Sequence, residues 1–368
     1  MEKKFVPFAV LERFLVDIMV KAGIPEADSR IVGDVLLQAD KLGFDSHGVN
    51  RLKSIYLDRI HDGILEPVTN YKIIKEGPTT AVIDGQNGMG QVISFNAMKL
   101  AIEKAKKYGM GMVAVRNSSH YGFAGYYPLM AVRENMMGIT GTNARPSVAP
   151  TFGVENMLGT NPLTFGIPSD EPFPFLLDCA TSITQRGKIE LYARTGKDLP
   201  KGWVMDVNGE SKTNASEVLG DIIAGNAALM PLGGVGEDTG GYKGYGYAAV
   251  VEILSAALQQ GAFMKMLTGS LDGQKVPYRI GHFFIVIDIS AFTEPADFKE
   301  TTGKILRELR ASRKMPGQER IYTAGEKEYF TWLERKDKGV PFSNELLEEF
   351  RGLCNTYNLK GYLPDFEA

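Results

Sequence analysis

The chain has 368 residues, 44% of them hydrophobic and 23% charged, with a formal net charge of −3. That is long enough for two domains or one discontinuous pair, and the interspersed charges leave no electrostatic footprint for nucleic acid or an anionic membrane. Cys179 and Cys354 are the only cysteines; far apart and without a metal-ligand cluster, they argue against a disulfide framework or zinc knuckle and for a reducing cytoplasm.

Near the N-terminus Glu12, Arg13 and Asp17 interrupt the apolar residues, so no signal peptide is expected. Nor is any uncharged run long enough to span a bilayer. From Phe8 to Leu42 apolar residues recur at helical spacing, and Gly23-Ile24-Pro25 divides the run into two helices. The stretch Asp45-Ser46-His47-Gly48-Val49-Asn50-Arg51 follows. His47 lies among small polar residues where an imidazole can meet a ligand, and a helix beginning near Gly48 puts Arg51 about one turn along on the same side. A group titrating near neutrality then stands beside a planar fork for a carboxylate. A plain helix start capped by Asp45 or Ser46 fits the same residues equally well. A third helix carries Leu52, Ile55, Tyr56 and Ile60, and His61 in its last turn reads as a favourable cation at a helix C-terminus.

From Thr79 the pattern alternates between strand and helix: strand Thr79 to Asp84, helix Ser94 to Tyr108, strand Met112 to Val115, helix Tyr126 to Asn135, strand Gly138 to Thr142. His120 hangs off the end of the Met112 strand, where site residues of α/β sheets gather. Further strands are expected at Leu163 to Ile167, Phe175 to Asp178, Trp203 to Val207 and His282 to Ile289, the last apolar enough to be buried on both faces. His282 reads as structural. Helices are expected at Gln185 to Ala193, Tyr247 to Met266, Ala296 to Ser312, Glu326 to Arg335 and Asn344 to Thr356. Helical ends around a strand-rich middle suggest residues 1–75 and 295–368 as two parts of one helical domain and 76–294 as an inserted core.

No segment satisfies the dinucleotide fingerprint. Gly109-Met110-Gly111 follows a helix and enters a strand, the reverse of what a phosphate-binding turn requires. Gly244-Tyr245-Gly246 opens a helix but lacks a preceding strand; with Lys243 beside it, it can hold an anion or be a flexible loop. Asp178-Cys179-Ala180-Thr181-Ser182 ends a strand in small and hydroxyl residues, which suits either a ligand or an ordinary capped connection.

Five motifs occur in order: Asp-Ser-His-Gly-x-x-Arg at 45–51, Arg-Asn-Ser-Ser-His-Tyr-Gly at 116–122, Gly-Thr-Asn-Pro at 159–162, Asp-Cys-Ala-Thr-Ser at 178–182 and Gly-Gly-Tyr-Lys-Gly-Tyr-Gly at 240–246. Together they resemble the type-2 malate/L-lactate dehydrogenase family, which also holds sulfolactate, ureidoglycolate and diketogulonate dehydrogenases and a cyclic-imine reductase. The resemblance implies an α/β, non-Rossmann NAD(P)-binding fold with a mixed β core, a homodimer, and NAD as cofactor with NADP open. It implies hydride transfer to a 2-oxo acid, oxaloacetate before pyruvate or the other family substrates, without a metal; the contrasting possibility is a non-catalytic dimeric binding protein. By the family pattern His120 is the proton donor with His47 adjacent, Arg51 holds the substrate carboxylate near Ser46, and Asn143, Pro150, Asn161, Asp178 to Ser182 (including Cys179, Ala180 and Thr181), Tyr242, Lys243 and Gly325-Glu326 contact the dinucleotide. Ala324 replaces the usual proline before Gly325. Arg145 departs from the small residues usual there and suits a second carboxylate.

Overall fold

The computed structural model describes residues 4–367. Its frame is a seven-stranded mixed sheet. In chain order the strands are β1 (Lys72–Glu76), β2 (Thr80–Asp84), β3 (Met110–Ser118), β4 (Met136–Thr142), β5 (Leu163–Ile167), β6 (Phe175–Cys179) and β7 (Ile280–Asp288), arranged in space as β1-β2-β3-β7-β4-β5-β6. Only β2 and β3 are parallel neighbours. Helix Gly90–Tyr108 makes the crossover between them that parallel pairing requires, and Gly109 closes it in the left-handed conformation, φ 84°.

β7 arrives last yet takes the middle. Phe283, Phe284 and Val286 leave no polar face to expose, so the strand is covered on both sides. It runs antiparallel to β3 and to β4, and the antiparallel steps through β5 to β6 leave β3, β4 and β6 pointing the same way. Their C-terminal ends, which lead into His120, Asn143 and Ala180, therefore lie along one edge.

Both ends of the chain share an apolar cluster in which Leu11, Phe14 and Ile18 meet Phe342, Phe350 and Phe366. Strand Lys4–Val6 pairs with Val340–Phe342 beside it. Helix Pro295–Ala311 lies elsewhere, with Phe298, Ile305 and Leu306 against Ile167 and Phe175 at the sheet edge. The sheet itself begins at Lys72, inside the segment 1–75 read as helical. A separate cluster, including Val148, Ile189, Val204, Val218 and Leu229, holds helix Arg186–Arg194, the strand pair Val204–Asp206 and Ala227–Leu229, and a helix not expected from the sequence, Ala215–Ala224. Its signal was present: Asn214 caps it, accepting from the Ser216 and Glu217 amides. No helix among the described residues is long and apolar enough to cross a membrane.

Two expectations change. The segment after His47 is not one α-helix: two 3₁₀ turns, Asp45–His47 and Val49–Arg51, lead into a π-helix, Leu52–Leu57, and a single α turn, Asp58–His61. The cause is non-local, because buried Asp40 accepts the Val49 N–H at 2.8 Å and Gly48 lies against that carboxylate too closely for a side chain. Nor does the glycine-rich stretch precede a helix starting at Tyr247. The helix is Gly241–Ala256, and its glycines serve close approach: a Cβ on Gly244 would overlap the Leu232 carbonyl, and one on Gly241 that of Gly234.

Candidate active site

A cleft opens at the edge where β3, β4 and β6 end, the usual ligand position in open α/β sheets. Of the residues expected there it is lined by Ser46, His47, His120, Asn143, Asp178 and Ala180; Phe44, Tyr121, Phe123, Thr142, Gln185 and Ile280 join them without having been singled out.

The imidazoles of His47 and His120 stack, with ring centroids 5.8 Å apart and planes 19° from parallel. His47 Nδ1 lies 2.8 Å from Ser46 Oγ, and Arg51 Nε donates to the Ser46 carbonyl at 2.6 Å. Ser46 thus aims both groups, leaving the Nη edge of Arg51 without a partner among the described residues. His120 Nδ1 accepts the Gly122 N–H at 3.1 Å and lies 2.9 Å from the Tyr56 hydroxyl. A backbone amide can only donate, so Nδ1 is bare and the neutral ring carries its proton on Nε2.

Both rings are held neutral. Burial, assisted by the charge of Arg51, brings His47 down to about 4. Burial, then the neighbouring His47 and the charges of Arg59 and Arg51, hold His120 well below the usual imidazole range. His282 is fully buried, stacks on Tyr121 at 4.5 Å and bonds Thr142 Oγ1 at 2.8 Å. It is part of the core behind the cleft.

Asp178 accepts the Gly125 N–H at 2.7 Å and the Thr164 hydroxyl at 3.2 Å, yet burial raises its carboxyl to about 6. The folded chain therefore keeps this proton to higher pH than the unfolded one, and stability falls as pH rises from about 4 to about 6, by on the order of 3 kcal/mol. Asp178→Asn is expected to melt several degrees above the parent at pH 8 and level with it at pH 4. Melting curves at the two pH values check this; an offset independent of pH would mean the carboxyl is not carrying it.

Other expected contacts have different local partners. The side-chain amides of Asn143 and Asn161 turn to Glu252, at 3.5 and 2.8 Å, and to the carbonyls of Ala262 and Ala248, both at 3.1 Å. Thr181 Oγ1 donates to the Asn161 carbonyl at 2.9 Å and Ser182 Oγ to that of Thr184 at 2.6 Å, so these hydroxyls tie backbone segments together. Cys179 is half-buried at the end of β6. Pro150 packs under Gly153, and Arg145 is exposed beyond β4. Gly325 presses on the Pro174 carbonyl, and Glu326, fully buried, is ion-paired to Arg310 and Arg320. None of these five lines the cleft, and Arg51 also lies outside its lining. Tyr242 and Lys243 are exposed in the first turn of Gly241–Ala256.

The residues present fit a nicotinamide dinucleotide. Tyr121 and Phe123 offer aromatic walls, Asp178 and Gln185 can bond a carboxamide, and Lys243, exposed at a helix N-terminus outside the cleft lining, offers a cation that suits phosphate.

Residues 6–351 match the family model described as malate/L-lactate dehydrogenase. The chain is 44% identical to the malate dehydrogenase of Pyrococcus horikoshii over 356 residues, 97% of this chain and 96% of that one. It is 36% identical to the L-sulfolactate dehydrogenase of Methanocaldococcus jannaschii over 348 residues, 95% of this chain and 96% of that one. The crystal structure of malate dehydrogenase from Entamoeba histolytica superposes with a TM-score of 0.94 at 45% identity, covering 97% of this chain and 99% of that one. Sequence and fold agree over nearly the whole length, and the chain belongs to the malate/L-lactate dehydrogenase family of oxidoreductases, which implies a nicotinamide cofactor and a small hydroxy-acid substrate.

Proposed function

We propose that the protein is an NAD-linked malate dehydrogenase, interconverting malate and oxaloacetate. The observation that carries this reading is the pairing of two neutral, stacked imidazoles with a guanidinium whose outer edge is unpartnered. When bound, the nicotinamide supplies or takes the hydride. The chain's own residues do the rest.

Arg51, fixed through Ser46, presents its Nη edge to the carboxylate next to the reacting carbon. His120 faces the substrate oxygen with Nε2, donating a hydrogen bond as negative charge grows there and then the proton. The Tyr56 hydroxyl can serve both states of the ring, donating to a bare Nδ1 and accepting from a protonated one; the Gly122 amide can serve only the first. Substrate carboxylates offset the positive charges that depress His120, so binding raises its affinity for the proton it must carry. His47 seals the neighbouring wall of the cleft, and the exposed Arg145 adds positive charge that draws in a dianionic substrate.

The homodimer of this reading has apolar surface to use: Tyr242, Val250 and Ile253 are exposed along one side of Gly241–Ala256, near Phe263. The two free thiols suit a reducing cytoplasm.

Following the absorbance of NADH and of NADPH with oxaloacetate, pyruvate and a cyclic imine tests the assignment. Oxaloacetate with NADH is expected to turn over fastest; turnover of none would return the chain to the binding-protein alternative.

A further inference from the structure

Arg59 reads in the sequence as one more solvated charge, yet its surroundings are unusual. The guanidinium lies 4.2 Å from the centroid of the Tyr278 ring and the residue is half-buried. No carboxylate pairs with it among the described residues. The acids on either side are engaged elsewhere: Asp58 bonds Lys53 at 2.9 and 3.0 Å, and Asp62 bonds Lys275 at 2.6 Å. Burial lowers its affinity for the proton, and the charge of Arg145, a second guanidinium with no ion pair among the described residues, lowers it further.

Arg59 lines a separate cavity with Asp62, Lys275 and Tyr278, linked to the cleft through two neighbours. One helical turn back, Tyr56 holds His120; two residues beyond the stacking Tyr278, Ile280 lines the cleft wall. The charge of Arg59 also acts on His120, ahead of that of Arg51. A desolvated cation without a counter-ion is costly, and the cost is removed when an anion arrives.

We propose that Arg59 is a specificity-determining residue that binds the second anionic group of the substrate, the carboxylate remote from the reacting carbon of a 2-oxo or 2-hydroxy dicarboxylate. The assignment rests on the 2-hydroxy-acid reading above. Arg51 is then left for the carboxylate beside the reacting carbon, and Arg145, exposed, adds charge from solvent. Tyr278 keeps the Arg59 fork planar to the ligand by stacking, which a lysine would not match.

The test is the split between dianion and monoanion. In Arg59→Gln, KM for oxaloacetate and the calorimetric Kd of malate on the NADH-loaded enzyme are expected to rise on the order of 10- to 100-fold. KM for pyruvate and Kd for lactate should stay within about threefold. Arg59→Met, which keeps an apolar stem over Tyr278, should show the same split, and circular dichroism melts identify which variant is folded for the comparison. Equal losses for both ligand classes, or no loss for malate, would overturn the assignment. If the unaltered enzyme reduced neither keto acid, the dehydrogenase reading would fail while the calorimetric comparison still decided the role of Arg59.

Discussion

His120→Ala is expected to lower kcat for oxaloacetate reduction by about a thousandfold, within the range that a positioned acid or base contributes, while NADH still binds within a few-fold of the parent affinity by fluorescence titration. The reasoning is geometric. His120 follows β3, its Nδ1 is fixed by Gly122 and Tyr56, and only Nε2 is left to meet a substrate. Truncation removes that atom without touching the sheet, since the ring is stacked on His47 at the cleft and not inside an apolar cluster. A mutant with near-normal rate would transfer the proton to His47. The pH profile gives an independent check. In the oxidative direction the imidazole must be neutral to accept a proton, and both rings are depressed, His47 to about 4 and His120 well below its ordinary value. Malate kcat/KM should therefore stay flat as pH falls through 6.5 and drop only at more acid pH, where these groups finally protonate. A midpoint near 6.5 would mean that the free enzyme holds its base as an ordinary solvated histidine.

The part of this site that periodicity could reveal was local. His120 was legible because a strand of alternating and apolar residues runs into it, and the central strand β7 because its run of Phe and Ile admits no solvent face. Tyr56 was not: at its position in an amphipathic pattern it reads as core, and it is indeed buried. Only the distant approach of His120 gives its hydroxyl a role. Arg59 was hidden for the opposite reason, since Asp58 beside it and Asp62 three residues on suggest local pairs, and those acids turn to lysines instead. Glu252 shows a signal that could have been read. A carboxylate within Val250-Val251-Glu252-Ile253-Leu254 breaks an apolar run and must find donors, and it finds them in Asn143, Asn161 and the Met264 amide. The asparagines are expected as cofactor contacts through the family resemblance; their NH2 groups are held inside the protein, while Asn161 Oδ1 is buried with no partner among the described residues and Asn143 lines the cleft. The start of the helix at Gly241 rather than Tyr247 was hidden for a related reason. Glycine signals both flexibility and close packing, and only coordinates tell which applies at Gly241 and Gly244.

Gly48→Ala is expected to lower kcat/KM about a hundredfold and the melting temperature by several degrees. Backbone strain is not the reason, because Gly48 has φ −86°, a value open to any residue. The reason is Asp40. Its carboxylate is buried, accepts the Val49 N–H and occupies the space a methyl on Gly48 would need. Either the carboxylate moves and gives up its amide, or the 3₁₀ turns move and carry His47 and Arg51 out of register. Overpacking with loss of a buried hydrogen bond costs on the order of 3 kcal/mol, and a displacement of about 1 Å at a reacting group can remove a hundredfold in rate. The Asp40→Ala background separates this cause from a general intolerance of the loop. With the carboxylate gone, the added methyl has room, so Gly48→Ala should cost much less there than in the parent, a coupling on the order of 2 kcal/mol measured by denaturant melts of the four proteins in the cycle. Equal costs in the two backgrounds would show that the Asp40 contact does not set the loop, and the placement of His47 would then need another support.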